Sequence, residues 1–252
     1  MNKTTSKDGT TIAFDRIGDG PPVILVEGAF CDRRTSAPLA ARLADRFTVF
    51  SYDRRGKGDS GDTQPWSIER ELEDLDAIIA AAGGSACAYG MSSGAVLILE
   101  AAARGLGMEK LALYEPPASR EHSGDMVTRL SALVSAGRRG DAVEHFLTHG
   151  PQIPAEVIAQ MKTSPMWAGL EAIAHTLVYD NTIATDPTVL DRAASVAVPT
   201  LVLGGADSPV FLRDAVRSVA EAVPGARHRY LAGQTHQVDP AVLAVALAEF
   251  FA

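Results

Sequence analysis

The sequence has few cysteines and no long apolar segment, so we expect a hydrophobic core to stabilise the fold. Its 252 residues include only two cysteines, Cys31 and Cys87, which is too few for a disulfide framework. No segment approaches the roughly 18 apolar residues that a membrane-spanning helix requires. The polar stretch Met1–Gly9 also lacks the apolar centre of a signal peptide. We therefore expect a globular cytoplasmic protein with no membrane partner.

An excess of positive charge is also absent. The chain has 23 Lys and Arg residues against 31 Asp and Glu residues, a formal net charge of −8. Nucleic acids and anionic membranes bind mainly through basic surfaces, so neither is an expected partner. The sequence shows no close group of His, Asp and Glu with metal-ligand spacing, so we expect no metal and no cofactor. It predicts a small-molecule substrate and does not indicate an oligomeric state.

Short apolar runs alternate with helical patterns along most of the chain. Pro22–Val26 is continuously apolar, as is typical of a strand buried on both faces, and Ser93–Arg104 is apolar nearly all round. Repeated strand–helix units predict an α/β fold with a mostly parallel sheet covered on both faces. The runs that predict strands are residues 10–17, 22–26, 46–52, 85–89, 110–114, 199–203 and 228–231.

The alternation stops after Pro116-Pro117 and resumes at Pro199. Between these positions the sequence predicts only helices, including one that begins at Ser164-Pro165 and carries an apolar stripe through Leu177. Because this helical insertion follows a strand, we expect it to leave and rejoin the sheet at one edge and to act as a lid. The predicted division is a core of residues 1–117 and 196–252 and a lid of residues 118–195.

One motif carries the clearest chemical signal. Gly90-Met91-Ser92-Ser93-Gly94 lies between a predicted strand and the apolar helix. A G-x-S-x-G sequence between a strand and a helix is typical of a nucleophile elbow, in which a strained turn presents the serine at the edge of the sheet. We predict that Ser92 is a nucleophile.

A serine nucleophile requires a base and a carboxylate that orients the base. In this architecture the acid and then the histidine follow the serine along the chain. Asp207 comes just after the strand Pro199–Leu203, and His236 comes just after the last predicted strand. We predict a triad of Ser92, Asp207 and His236.

The arrangement resembles the α/β-hydrolase superfamily over nearly the whole chain. The motifs that carry the resemblance are GMSSG, GGAD, QTH and the segment Asp53–Ser60, DRRGKGDS, which is similar to the D-x-R-G-x-G-x-S loop of lid-bearing, single-domain members. The resemblance implies an eight-stranded, mostly parallel sheet with helices on both faces and a helical lid inserted after the sixth strand. It also leaves Glu115 as an alternative acid, because some members take the triad carboxylate from that strand end. Asp207 fits the commoner arrangement.

The resemblance further implies an oxyanion hole made of the backbone N–H groups of Ser93 and Ala29. The family's usual His-Gly-x sequence reads Glu27-Gly28-Ala29 here, which puts a carboxylate near a site that stabilises negative charge. Glu27 must be paired, protonated or turned away, and Arg54 and Arg55 are candidate partners. We favour a structural role, in which loop N–H groups or an arginine bond to Glu27, over a role in substrate binding or charge tuning.

The residues that flank these positions are candidates for substrate binding: Glu27, Gly28, Phe30, Met91 and, in the lid, Trp167. A serine nucleophile favours acyl transfer, and the apolar lid favours a small or medium apolar carboxylic ester or thioester. Three alternatives remain on the same fold: carbon–carbon bond hydrolysis, acyl transfer or another biosynthetic step without water, and a small-molecule receptor with little turnover.

Overall fold

The structure, a computed structural model, describes residues 1–118 and 124–252. Its single sheet has eight strands in the order β1-β2-β4-β3-β5-β6-β7-β8, when the strands are numbered along the chain. The strand β2 pairs antiparallel with both of its neighbours, β1 and β4. All other neighbouring strands, from β4 across to β8, pair parallel. The strands are β1 (Asn2–Thr5), β2 (Thr11–Ile17), β3 (Pro22–Val26), β4 (Thr48–Tyr52), β5 (Ala86–Met91), β6 (Met108–Tyr114), β7 (Thr200–Gly205) and β8 (Arg227–Leu231). The predicted α/β fold is confirmed.

Seven of these strands correspond to the predicted apolar runs, and β1 does not. Its sequence, NKTT, is polar and mostly exposed because it forms an edge of the sheet and pairs with β2 alone. An exposed edge strand buries too little surface to leave a hydrophobic pattern in the sequence.

Helices cover both faces of the sheet. In chain order they are α1 (Ala37–Leu43), α2 (Ile68–Ala81), α3 (Ser93–Ala103), α4 (Gly124–Ser135), α5 (Arg139–His149), α6 (Ala155–Lys162), α7 (Met166–Ala172), α8 (Thr176–Ala184), α9 (Val189–Ala193), α10 (Val210–Ala222) and α11 (Pro240–Phe251). Ile24 and Val26 face a core formed with α2, α3 and α10, whereas Val23 and Leu25 face a core formed with α1 and α11. The alternation within β3 therefore supplies both cores.

The helix α3 lies between the sheet and the helices α8 and α9. Every residue from Ser93 to Ala101 is buried, as its nearly all-apolar sequence predicts. It packs against β5 and β6 on one side and against α8 and α9 on the other.

Helices α4 to α9 follow β6 and precede β7, so the helical insertion begins after the sixth strand as expected. Within its described residues there is no strand. The apolar stripe predicted from Met166 to Leu177 belongs to two helices, α7 and α8, because the chain turns at residues 173–175. Residues 119–123 of the predicted lid lie outside the described residues, and the boundaries of core and lid stay a prediction. In the described parts of the chain no helix combines the length and apolarity needed to cross a bilayer.

Candidate active site

Ser92 occupies a sharp turn between β5 and α3. Its backbone has φ 54° and ψ −124°, a conformation that L-residues rarely adopt. A Cβ atom on Gly90 would lie 2.6 Å from the Ala95 Cα, and one on Gly94 would lie 2.3 Å from the carbonyl oxygen of Val26. Both glycines of the motif are therefore required by close backbone approach, and the turn has the form of a nucleophile elbow.

Backbone strain is concentrated at this edge of the sheet. Within residues 1–118 and 124–252, the residues other than glycine with positive φ are Phe30, Ser92, Glu115 and Gln152. Ser92 and Glu115 directly follow β5 and β6, and Phe30 lies in the loop that follows β3. Strained residues persist only where the surrounding structure holds them, and they cluster at functional sites.

Glu115 and His236 form a hydrogen-bonded pair at the centre of the site. Glu115 Oε2 lies 2.6 Å from His236 Nδ1, and Oε1 accepts a hydrogen bond of 2.8 Å from the Gly205 N–H. Burial acts to raise the pKa of the fully buried Glu115, but the hydrogen bonds from His236 and Gly205 outweigh it and hold that pKa below its usual value. Because ionised Glu115 can only accept a hydrogen bond, the ring hydrogen of His236 lies on Nδ1, and Nε2 is available as a base.

The structure does not bring Asp207 to His236, as the predicted triad requires, and places Glu115 there instead. Asp207 is exposed, and its only hydrogen bond in the described parts of the chain runs from its backbone N–H to the carbonyl of Gln234. It lies two residues beyond the end of β7, in a loop that faces solvent. Glu115 reaches the histidine instead, and the Gly205 N–H donates a hydrogen bond to its carboxylate.

Tyr114 links the serine and histidine loops, and sequence reasoning missed it. Its carbonyl accepts a 2.9 Å hydrogen bond from the Ser92 N–H, and its hydroxyl donates a 2.5 Å hydrogen bond to the carbonyl of Thr235, next to His236. The side chain is fully buried. The only available signal was a tyrosine at the end of a buried strand, which is ordinary core composition.

The loop after β3 lies against Ser92, as the predicted oxyanion hole requires. A Cβ atom on Gly28 would lie 3.0 Å from the Ser92 Cβ. The Gly28 carbonyl accepts hydrogen bonds from the Cys31 N–H at 3.4 Å and from Lys57 Nζ at 3.0 Å, which fixes the turn. Among the described residues no acceptor bonds to the N–H groups of Ala29 and Ser93, the pair that the family resemblance assigns to the oxyanion.

Neither candidate arginine pairs with the Glu27 carboxyl group, which corrects the favoured interpretation. Arg54 forms an ion pair with Glu71 at 2.7 Å, and its only contact with Glu27 is a 3.3 Å hydrogen bond to the backbone carbonyl. Arg55 pairs with Asp74 at 2.7 Å. No residue in the described ranges donates a hydrogen bond to the carboxyl group of Glu27.

Glu27 is nevertheless buried, with 5% of its surface exposed. Burial is the largest influence on its acidity and raises its pKa to about 7, while the Lys57 charge lowers that pKa and Asp32 raises it. Of the three alternatives for this residue, the structure favours protonation, because an unpaired buried carboxylate is costly.

The remaining candidate residues have distinct surroundings. Met91 is half-buried at the end of β5, next to the nucleophile. Phe30 packs against the interior of the helical insertion, edge-on to Phe146 at 5.5 Å. Trp167 is 8% exposed in that interior and donates a hydrogen bond of 3.0 Å to Glu171. Substrate contact at these positions and at Gly28 stays a prediction.

Cysteine and metal chemistry find no support in the described parts of the chain. Burial raises the pKa of the Cys31 thiol to about 11, so the nucleophilic thiolate is scarce at neutral pH. No group of three or more His, Cys, Asp or Glu residues there is arranged to hold a metal ion.

Comparison with known proteins identifies the family. The sequence profile described as "Alpha/beta hydrolase family" matches residues 23–247. The chain belongs to the alpha/beta hydrolase family. An alpha/beta hydrolase from Sphaerobacter thermophilus DSM 20745 is 51% identical, with a TM-score of 0.91 over the whole of both chains. This membership confirms the resemblance inferred from the motifs and makes the protein a hydrolase.

Two further similar proteins are more distant. The 2-(acetamidomethylene)succinate hydrolase of Mesorhizobium japonicum is 25% identical over 92% of this chain and 88% of its own. The enol-lactonase from Burkholderia xenovorans LB400 is 20% identical, with a TM-score of 0.72 over 99% of each chain, and shares the alpha/beta hydrolase fold.

Proposed function

We propose that the protein is a serine hydrolase that cleaves small or medium apolar carboxylic esters, or thioesters, through an acyl-enzyme intermediate. The observation that carries this proposal is the 2.6 Å hydrogen bond between Glu115 and His236, at the sheet edge where the elbow presents Ser92. The proposed catalytic residues are Ser92, His236 and Glu115, with the N–H groups of Ala29 and Ser93 as the oxyanion hole.

In the proposed reaction, the Ser92 hydroxyl oxygen attacks the ester carbonyl while His236 Nε2 accepts its proton. The tetrahedral oxyanion accepts hydrogen bonds from the Ala29 and Ser93 N–H groups, and ionised Glu115 stabilises the imidazolium. His236 then protonates the departing alcohol, which leaves Ser92 acylated. A water molecule, deprotonated by His236, attacks the acyl-enzyme, and collapse of the second tetrahedral intermediate releases the acid and restores Ser92.

The surroundings of the oxyanion loop support an apolar substrate. Ala29 and Phe30 pack against a cluster formed by α4, α5 and α8, whose buried members include Leu130, Leu133 and Leu177. An apolar wall beside the nucleophile binds an acyl or aryl group by removing its surface from water. The helical insertion thereby acts as the predicted lid.

The relatives' names extend the list of substrates to test. The Mesorhizobium protein is named for 2-(acetamidomethylene)succinate and the Burkholderia protein for an enol-lactone. Both belong in a panel beside simple esters and thioesters, because a serine nucleophile with an oxyanion hole suits attack on any of these carbonyl groups.

The test combines turnover with covalent labelling. The purified protein is assayed with p-nitrophenyl acetate and butyrate and is treated with a fluorophosphonate probe. Turnover and labelling, both abolished in Ser92→Ala, are expected. Labelling without turnover on any ester or thioester would instead indicate a receptor, a transferase or a carbon–carbon bond hydrolase, and labelling that survives in Ser92→Ala would refute the assignment of the nucleophile.

A further inference from the structure

A group of buried polar side chains lies directly behind the proposed oxyanion hole and has no part in the triad. We call it the buried ion cluster, and its members are Arg54, Lys57, Glu71, Ser93 and Asp180. Each has 2% of its surface exposed. Burying four charged groups is costly unless each is paired, so their retention here calls for a role.

Asp180, from α8 of the helical insertion, is the centre of this cluster. Its Oδ1 accepts hydrogen bonds from Ser93 Oγ at 2.7 Å and from Arg54 Nη1 at 2.5 Å, and its Oδ2 accepts one from Lys57 Nζ at 2.8 Å. Burial acts to raise the pKa of Asp180, but the Lys57 and Arg54 charges outweigh it and hold the pKa below its usual value. Asp180 is therefore an ionised, fully paired carboxylate.

The two cations that Asp180 binds also hold the oxyanion loop. Lys57 Nζ donates to the Gly28 carbonyl at 3.0 Å, and Arg54 Nη1 donates to the Glu27 carbonyl at 3.3 Å. These carbonyls belong to the residues that immediately precede Ala29, one of the two proposed oxyanion donors.

The other proposed donor is held by the same carboxylate. Asp180 accepts directly from the hydroxyl of Ser93, whose backbone N–H is the second donor. One carboxylate from the helical insertion is thus linked to both donors, through the Ser93 hydroxyl on one side and through the two cations Lys57 and Arg54 on the other.

Resting on the proposed function, we propose that Asp180 is a positioning residue that sets the spacing of the two oxyanion N–H groups, so that docking of α8 completes the oxyanion hole. Preorganised donors stabilise a transition state only when they are held in place, and the loss of one donor typically lowers the rate by about 100- to 1000-fold. A displacement of about 1 Å can cost a comparable factor.

The test uses a charge-balanced variant and a control on the same helix. Replacing Asp180 alone leaves Lys57 buried with no acidic partner, so the primary variant is Asp180→Asn/Lys57→Met, which removes one charge of each sign. The control is Tyr179→Phe on the same helix. It removes the hydrogen bond that the Tyr179 hydroxyl accepts from Gln64 Nε2 at 2.7 Å and the one that it donates to Asp62 at 3.1 Å, without touching the oxyanion loop.

The double variant should fold, with a Tm within about 5 °C of the parent, and its kcat on p-nitrophenyl butyrate should fall at least about tenfold with KM changed less than about threefold. Binding of a trifluoromethyl ketone, whose adduct places an oxyanion in the hole, should weaken by a factor close to the loss in kcat/KM. Tyr179→Phe should lower kcat less than about threefold.

Each outcome is decisive. An active parent whose double variant keeps its kcat, or loses kcat no more than the control does, overturns the positioning role alone. A parent that neither turns over esters nor reacts with a fluorophosphonate overturns the proposed function, and this inference with it. Should the double variant fail to fold, Ser93→Ala removes the hydrogen bond that its hydroxyl donates to Asp180 and the 3.1 Å hydrogen bond that it accepts from Arg54 Nη1, but no charge. An unchanged kcat there also overturns the inference, and a fall of about three- to tenfold supports it.

Discussion

Glu27→Gln tests whether a buried carboxyl group, with no hydrogen-bond donor among the described residues, makes the stability of this hydrolase depend on pH. The folded protein raises the pKa of Glu27 from an ordinary value of 4.5 to about 7, chiefly through burial. Because a difference of one pH unit in pKa corresponds to about 1.4 kcal/mol, ionised Glu27 destabilises the fold by about 3 kcal/mol. Glutamine has nearly the same shape and cannot ionise.

The direction of the change in stability with pH follows from the pH at which Glu27 loses its proton in the folded and in the unfolded chain. Below pH 4.5 the carboxyl group is protonated in both the folded and the unfolded chain, and its ionisation costs the folded chain nothing. As the pH rises toward 7, the unfolded chain ionises and the folded chain does not, so stability is lost; above about 7 the loss is complete. Between pH 5.5 and pH 8.5 the parent should therefore lose about 2 kcal/mol that Glu27→Gln retains.

The assay is urea unfolding followed by tryptophan fluorescence at several values in this range, which lies above the isoelectric point of about 5.2. Only the change with pH is compared, because an unpaired buried amide adds a cost that is independent of pH. Glu249→Gln, a surface substitution at a side chain that is 67% exposed, serves as the control and should follow the parent. If the unfolding free energies of Glu27→Gln and the parent run parallel across the range, Glu27 is not a neutral buried acid and the reasoning fails.

The proposed active site gives three further predictions, each measured by steady-state kinetics on p-nitrophenyl butyrate. Ser92→Ala should lose at least about 1000-fold in kcat/KM, with His236→Ala similar and the double variant little worse, because the two residues act as a unit; additive losses would argue against a triad. Glu115→Gln should lose at least about 100-fold in kcat/KM and Asp207→Asn less than about threefold, and the reverse order would restore Asp207 as the acid. Tyr114→Phe, which releases the Thr235 carbonyl, should lower kcat about tenfold and leave KM nearly unchanged, whereas an unchanged kcat would limit Tyr114 to packing.

The sequence predicted the elements that bury apolar surface. Hydrophobic patterning, which is local, predicts the strands β3 and β7 and the nearly all-apolar helix α3. The elbow was equally readable, because its two glycines are required by backbone contacts within a few residues of the turn and with the adjoining strand.

The acid could not be chosen from the sequence alone. Glu115 and Asp207 both follow strands that end at the same edge, and only the three-dimensional course of the two loops decides which carboxylate meets His236. The Asp180 contacts were hidden for a similar reason, because they join residues 87 to 126 positions apart in the chain. Distant polar contacts leave no periodic pattern.

In the proposed triad the acid, Glu115, follows β6, so the turn after β7 can vary in sequence without loss of a catalytic group. Ala206 and Asp207 are held there by backbone hydrogen bonds to the carbonyls of Leu231 and Gln234, which do not depend on side-chain identity. In the proposed triad the exposed side chain of Asp207 has no catalytic role. Surface turns of this kind tolerate substitution and insertion. This one borders the histidine loop, so it offers a place to diversify substrate preference while the groups that break the bond stay fixed.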